Sequence, residues 1–322
     1  MNTQSHILLT GGTGFFGKAF LRYWALQEQL GTCAPKVTIL SRDPEGFSNH
    51  HPLLIDHPWL EIVKGDICDV GSLPRGFSFT HVLHAAAEST AGPIMSPKER
   101  FDQIVFGTRN MLDLSVACGA TRFLLTSSGG AYGPQPIEMK AIPETYNGMP
   151  DPLNPSNAYG VAKRQAEHLC AQYGHQFGIQ TVIARCFAFV GEDLPRDAHF
   201  AIGNFIRDAI ERPEIIVNGN GNPIRSYMHQ SDLAHWLLAL LQYGAAGNAY
   251  NVGSDEAISI ADLAYLVRDI LSPEKQVLVK SEELADNVSR SRYIPDISKA
   301  KNQLGLKVIL PLTQAIRLSV PE

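Results

Sequence analysis

The 322-residue sequence contains no apolar run near the roughly 18 residues that a membrane span requires, and its opening stretch, Met1 to His6, is polar. Neither an anchor in the membrane nor secretion is expected, and the expected location is the cytoplasm. Basic residues give no excess: Lys and Arg number 27 against 32 Asp and Glu, a net charge of -5. A nonspecific field for nucleic acid or an anionic membrane is therefore missing, and any anionic ligand must be held by local groups. Cysteine is scarce. The five, Cys33, Cys68, Cys118, Cys170 and Cys186, are odd in number and widely spaced, which excludes a disulfide framework and suggests reduced thiols in mostly apolar surroundings. His50, His51 and His57 are interrupted by Pro52 and Pro58 without zinc-type spacing, so they read as solvated loop histidines and no metal is expected. Internal repeats and low-complexity segments are also missing. What is present is an ordinary globular composition, 44% hydrophobic and 18% charged, long enough for two packed units or one large domain with a smaller lobe.

Up to about residue 186 the chain alternates short β-branched runs with longer amphipathic stretches, the pattern of βαβ units around a parallel sheet. Strands are expected at 6–10, 36–41, 61–63, 81–84, 122–126 and 181–184. Helical spacing covers 16–27, 97–118 and 156–177. Right-handed crossovers then give an α/β, doubly wound Rossmann domain over residues 1–186. Beyond it the elements shorten: a helix near 202–210, a strand at 215–217 and a helix at 231–242. Residues 187–322 are expected to form a smaller mixed α/β lobe, partly interwoven with the first domain because no linker separates them.

Immediately after the first strand stands Thr10-Gly11-Gly12-Thr13-Gly14-Phe15-Phe16-Gly17, glycines spaced GxxGxxG before a helix. Glycine permits the tight turn and lets backbone N–H groups reach a pyrophosphate at the positive end of the helix. This predicts a dinucleotide site. At the end of the second strand Ser41 stands where a ribose-binding acid is expected, and Arg42 follows. An Arg there suits a 2′-phosphate, so NADP is favoured over NAD, unless Asp43 reaches the ribose or Arg42 is a plain surface charge. Asp66, after the third strand, can accept from an adenine amine or cap a turn.

Tyr159 and Lys163 are spaced i, i+4 and share a helix face. A phenol of ordinary pKa near 10 is a poor base at neutral pH, and a neighbouring ammonium lowers that value. Thr126-Ser127-Ser128 brings a hydroxyl to the same carboxyl edge of the sheet.

With these segments the chain resembles an extended short-chain dehydrogenase/reductase of the nucleotide-sugar epimerase/dehydratase family. Further matching segments are KGDICD from Lys64, HAAAES from His84, GTRNML from Gly107, SSGGAYG from Ser127, NAYGVAK from Asn157, RCFAFVG from Arg185, GNGNPIRSY from Gly219 and RYIPDISKAKNQLG from Arg292. The resemblance implies Tyr159 as acid/base, Lys163 as ribose ligand and tuner of Tyr159, and Ser128, four before Tyr132, as the hydroxyl that orients the substrate oxygen. It implies cofactor contacts at Gly11, Gly14, Phe15, Phe16, Gly17, Arg42, Asp66, Ile67, Ala85 and Ala86. On the substrate side it implies Glu88 and Ser128, with Arg225 and Arg292 on the diphosphate of a nucleotide sugar and Asn204 near it, unless Asn204 is a polar cap. Arg185 is expected to support the site from the sixth strand. Pairing into a homodimer is also implied.

Departures from the family pattern bear on the reaction. Dehydratases and decarboxylases of the family carry acidic residues after the strand-end hydroxyl, where this chain has Gly129 and Gly130. Dehydration is then disfavoured unless Glu88 or Glu138 substitutes. Ile104 and Ala188 replace asparagines usual in the epimerases. The expected activity is NADPH-dependent reduction at C4 of a nucleotide 4-keto-6-deoxyhexose. The rivals are a 4-epimerase and, from a different class, a non-catalytic NADP-binding protein.

Overall fold

In the computed structural model, which describes residues 5–87, 95–280 and 291–320, the β-branched runs form β1 (His6–Thr10), β2 (Lys36–Ser41), β3 (Leu60–Lys64), β4 (His81–His84), β5 (Arg122–Ser128) and β6 (Gln180–Cys186). With a later strand, Asn248–Val252, they make a seven-stranded parallel sheet in the order Asn248–Val252, β6, β5, β4, β1, β2, β3. Helices follow as α1 (Phe15–Gln29), α2 (Pro44–His50), α3 (Pro52–Ile55), α4 (Pro97–Ala117), α5 (Ala158–Phe177), α6 (Ala201–Glu211), α7 (Gln230–Tyr243), α8 (Ile260–Leu271), α9 (Ser298–Leu304) and α10 (Leu312–Arg317).

A parallel sheet covered on both faces needs apolar residues at successive strand positions. Ile7, Leu9, Val37, Ile39, Leu83 and Leu124 join the layer that contains α1 and α7, while Leu8, Leu40, Val82, Phe123 and Leu125 join the layer of α4 and α5. The chain winds outward from β1 through β2 to β3, then returns to the other side of β1 as β4. That reversal opens a crevice at the carboxyl ends of β1 and β4, the position where open α/β sheets bind ligands.

Past residue 186 the chain twice rejoins the first layer system: α7 packs beside α1, and Asn248–Val252 extends the sheet beyond β6. Between and after these returns lies a smaller mixed unit. Its core includes Val190, Ile202, Phe205, Ile215, Leu263 and Ile316. A three-stranded ribbon of Ile258–Ser259, Ile224–Arg225 and Arg292–Tyr293 borders it. Asp193 ties this part to α1, accepting from Arg22 at 2.8 Å and lying 3.3 Å from Lys18, and it also accepts from Gln230 at 3.1 Å.

Some expectations need correction. Helix α5 begins at Ala158 rather than at residue 156, because Pro155–Asn157 form a 3-10 turn capped by the Asn154 side chain. His50 lies in α2 rather than in a loop, and His57 stacks on Trp59 at 4.7 Å and hydrogen-bonds Glu28 at 2.8 Å. The five cysteines are free, but only Cys170 and Cys186 are buried; Cys33 and Cys68 are exposed. Among the described residues no cluster of His, Cys, Asp and Glu could hold a metal ion, and no helix is long and apolar enough to cross a membrane.

Candidate active site

The glycine turn is built by close approach. Gly11 has φ +71°, and a Cβ on it would stand 2.7 Å from the Ala85 carbonyl carbon and 2.8 Å from the Ala86 nitrogen. Gly17 packs against the Gly12 backbone so tightly that no side chain fits. Thr10 secures the seam: its hydroxyl accepts from Ala86 N–H at 3.2 Å and pairs with His84 Nδ1 at 2.7 Å. Gly14 caps the 15-residue α1 without a side chain, and no acidic residue occupies the first turn. The helix end therefore keeps its positive character for an anion. Phe15 and Phe16 turn their rings toward Phe189, at 6.4 and 5.4 Å, which leaves their backbone for the turn.

At the neighbouring strand end, β2 stops at Ser41 and Arg42 is exposed. Asp43 is committed elsewhere, its carboxylate accepting from Gly46 N–H at 3.0 Å as the N-cap of α2. A cavity of about 290 Å³ lies here, lined by residues including Thr13, Ser41, Arg42, Asp43, His50 and His51. Asp66 also caps, accepting from Cys68 N–H at 2.8 Å through one oxygen. Ile67 is buried beneath Gly107, and its carbonyl accepts from Asn110 at 2.8 Å.

Ser128 at the end of β5 meets α5 at Tyr159 and Lys163. The two strand-end serines part company. Ser127 donates to Glu167 at 2.5 Å, and Glu167 is also held by Arg185 at 2.6 and 3.0 Å, so Arg185 braces β6 against α5. Ser128 instead accepts from Gly130 N–H at 3.0 Å at the end of the strand. Lys163 is buried and donates to the Thr126 carbonyl at 2.7 Å, with its nitrogen 5.7 Å from the Tyr159 ring centroid. Burial pulls its ammonium down to about 8, against the opposing pull of Cys186 and Glu167. Tyr159 departs from expectation. Burial pushes its phenol up to about 12, and the Ser128 hydrogen bond and the charge of Arg100 only partly offset this. The phenol is therefore protonated at neutral pH, poised as an acid.

After Ser128 the two glycines differ. A Cβ on Gly129 would lie 2.5 Å from the Tyr293 hydroxyl and 2.8 Å from Phe187 Cζ, whereas one on Gly130 would meet Ser128 Oγ only at 3.3 Å and the Tyr159 ring at 3.8 Å. Sequence reasoning gave no role to Tyr293 or Arg100, although Tyr293 lies in the matching segment that begins at Arg292. Glu138 is exposed, and Glu88 lies outside the described residues. Ile104 is buried in α4 and Ala188 packs against the core of the smaller unit, so both act as apolar fillers. Asn204 sits one turn inside α6, which is capped at Phe200, so it is no cap. Arg225 and Arg292 occupy adjacent ribbon strands, with Arg225 in register with Tyr293 and Arg292 with Ile224.

A parallel sheet in this order, with a glycine turn at its reversal and a Ser-Tyr-Lys group beside it, defines an extended short-chain dehydrogenase/reductase fold. The chain belongs to the NAD dependent epimerase/dehydratase family, whose model matches residues 7–253. UDP-glucuronic acid decarboxylase 6 of Arabidopsis thaliana is 30% identical over 332 residues, covering 99% of this chain and 92% of that protein. The UDP-glucose 4-epimerase of Thermotoga maritima, solved with UDP-glucose, shares the fold at TM-score 0.82 and 23% identity, covering 98% of this chain and 97% of that one. RMD from Pseudomonas aeruginosa, solved with NADPH, has TM-score 0.76 and 25% identity, with 98% and 97% covered.

Proposed function

We propose that the protein reduces C4 of a nucleotide-activated 4-keto-6-deoxyhexose with NADPH. The observation that carries this reading is the meeting of Ser128, Tyr159 and Lys163 with two glycines where a proton-moving carboxylate would stand. Dehydration and decarboxylation, which the resemblance ties to acidic residues after the strand-end hydroxyl, lack them at Gly129 and Gly130. Reduction asks only for an acid at the carbonyl oxygen.

The Gly11 cradle and the uncapped start of α1 suit the pyrophosphate of a dinucleotide. When bound, its reduced nicotinamide supplies the hydride. Arg42, which lines a cavity with Ser41 and Asp43, offers a guanidinium to a 2′-phosphate and so supports NADP, with one Asp43 oxygen held by Gly46 N–H. Lys163 would hold the ribose and, by its charge, favour the Tyr159 phenolate once the proton has left. Tyr159 gives its proton to O4 while Ser128 orients that oxygen. Arg225, Arg292 and Asn204 would receive the sugar-nucleotide diphosphate, where guanidinium forks match phosphate oxygens.

Family membership supports a 4-epimerase as the second reading, since the same three side chains can serve it. The test is incubation of NADPH, deuterated at the transferable position, with UDP-, dTDP- and GDP-linked 4-keto-6-deoxyhexoses. Deuterium at C4 with one cofactor consumed per product is expected. A C4 epimer of a nucleotide hexose formed without net cofactor consumption would replace this reading with the second, and carbon dioxide released from UDP-glucuronic acid would overturn the argument from the glycines.

A further inference from the structure

The cavity between the glycine turn and α2 is short of positive charge for the group it would hold. Its lining includes Thr13 of the turn, Ser41 and Arg42 at the end of β2, Asp43, and His50 and His51 at the far end of α2. Arg42 brings one positive charge and Asp43 one negative, so the permanently charged groups of the lining cancel. A 2′-phosphate carries about two negative charges at neutral pH, more than Arg42 alone can balance with Asp43 alongside. Among the described lining residues, the two histidines are the remaining groups able to become positive.

The two rings are held differently. His50 Nδ1 lies 2.6 Å from the Gly46 carbonyl oxygen. A carbonyl only accepts, so Nδ1 carries the proton, and Nε2 is the edge of this exposed ring that can meet a ligand. In the neutral ring that edge is a lone pair, which repels a phosphate oxygen; in the protonated ring it is a donor. His51 instead rests on Phe47 at 5.1 Å between ring centroids, and burial, Lys18 and Arg22 on α1, and His50 hold it below the usual histidine range against the pull of Asp193. We propose that His50 is a specificity-determining residue for the cofactor: with Nδ1 anchored on Gly46, its Nε2 takes up a proton as NADPH binds and donates to the 2′-phosphate beside Arg42. The groups of the cavity that face it are Arg42, which opposes its charging, Asp43, which favours it, and His51. The phosphate tips that balance toward the charged ring. NADH, which lacks the phosphate, does not.

This inference rests on the reading of Arg42 as a 2′-phosphate ligand, and its test is binding, with no turnover needed. NADPH and NADH are titrated by fluorescence, and by calorimetry in buffers of different ionisation enthalpy. At pH 7.5 NADPH should take up more protons on binding than NADH. The preference for NADPH should rise about 3- to 10-fold from pH 8.5 to pH 6.5, the modest worth of a charge-assisted contact open to water. Protonation of the phosphate itself weakens its hold on cations as pH falls, so it works in the opposite direction. His50→Gln should flatten this pH dependence, remove the excess proton uptake and weaken NADPH about 3- to 10-fold at pH 6.5, with NADH affinity within about twofold as the sign of an intact fold. His50→Lys, charged throughout, should keep the preference at both pH values without the excess uptake. His51→Gln should leave the uptake in place. Excess uptake and a pH-dependent preference that persist in His50→Gln, or that vanish in His51→Gln instead, would overturn the proposal and leave Arg42 in its role. Equal affinity of the wild-type protein for the two cofactors would overturn the NADP reading, and this role of His50 with it.

Discussion

Tyr159 shows how little a residue's type says about its state. Its spacing to Lys163 suggests a phenol lowered by an ammonium, yet burial is the larger effect and pushes it up to about 12. Tyr159→Phe should lower kcat at least ~10²-fold, typical of a lost general acid, with NADPH affinity nearly unchanged by titration. Lys163→Ala should weaken both. The adjacent glycines give a contrast at the same scale. Gly129→Ala must displace the Tyr293 hydroxyl or the Phe187 ring and should cost about 1–3 kcal/mol in urea unfolding, the range for overpacking, whereas Gly130→Ala meets no contact under 3.3 Å and should stay within about 1 kcal/mol.

Elements matter here through their ends. The carboxyl end of β2 presents Ser41 and Arg42, while Asp43 one step further belongs to α2. Arg42→Ala should therefore weaken NADPH by about 1.5–3 kcal/mol and hardly change NADH, as fluorescence titration of both cofactors would read. An equal loss for the two would remove the 2′-phosphate from the argument. At α7 the N-cap is His229, whose Nδ1 accepts from Ser231 N–H at 3.2 Å. Burial lowers His229 to about 4, so it caps in its neutral form. His229→Ala should cost about 1 kcal/mol at pH 7, the usual worth of a cap, and less at pH 4, where the wild-type cap is itself half protonated.

The whole molecule carries its own pH signature. His84 is buried between Thr10 and Thr108, and burial, with a smaller push from Lys163, lowers it from 6.5 to about 3. Between those values the unfolded chain binds a proton that the folded one refuses. Its stabilising contribution is thus complete above pH 6.5 and is lost as pH falls toward 3, at up to about 1.4 kcal/mol per pH unit. The urea midpoint should fall between pH 7 and pH 5, and less steeply in His84→Gln; equal slopes for the two proteins would clear His84.

The sequence by itself determined the elements and the near-neighbour chemistry. β1, β2 and β4 stand where β-branched runs placed them, the glycine turn follows β1, and Tyr159 and Lys163 share a face because helical spacing is a local property. Tertiary structure decided the rest. Asn248–Val252, with asparagine at two of its five positions, hardly reads as a strand; it becomes one because the free edge of β6 offers its backbone partners. Asp43 and Asp66 each give one carboxylate oxygen to a nearby N–H, a local contact set by how the chain turns after the strand. The resemblance already preferred Ser128 to Ser127; the partner of Ser127, Glu167 on α5, is what only the packing of helix on strand supplied. Tyr293 faces Gly129 across a gap in sequence that no periodicity spans, because such a contact depends on how the ribbon docks on the sheet, and docking is set by the sum of many packing contacts rather than by either residue alone.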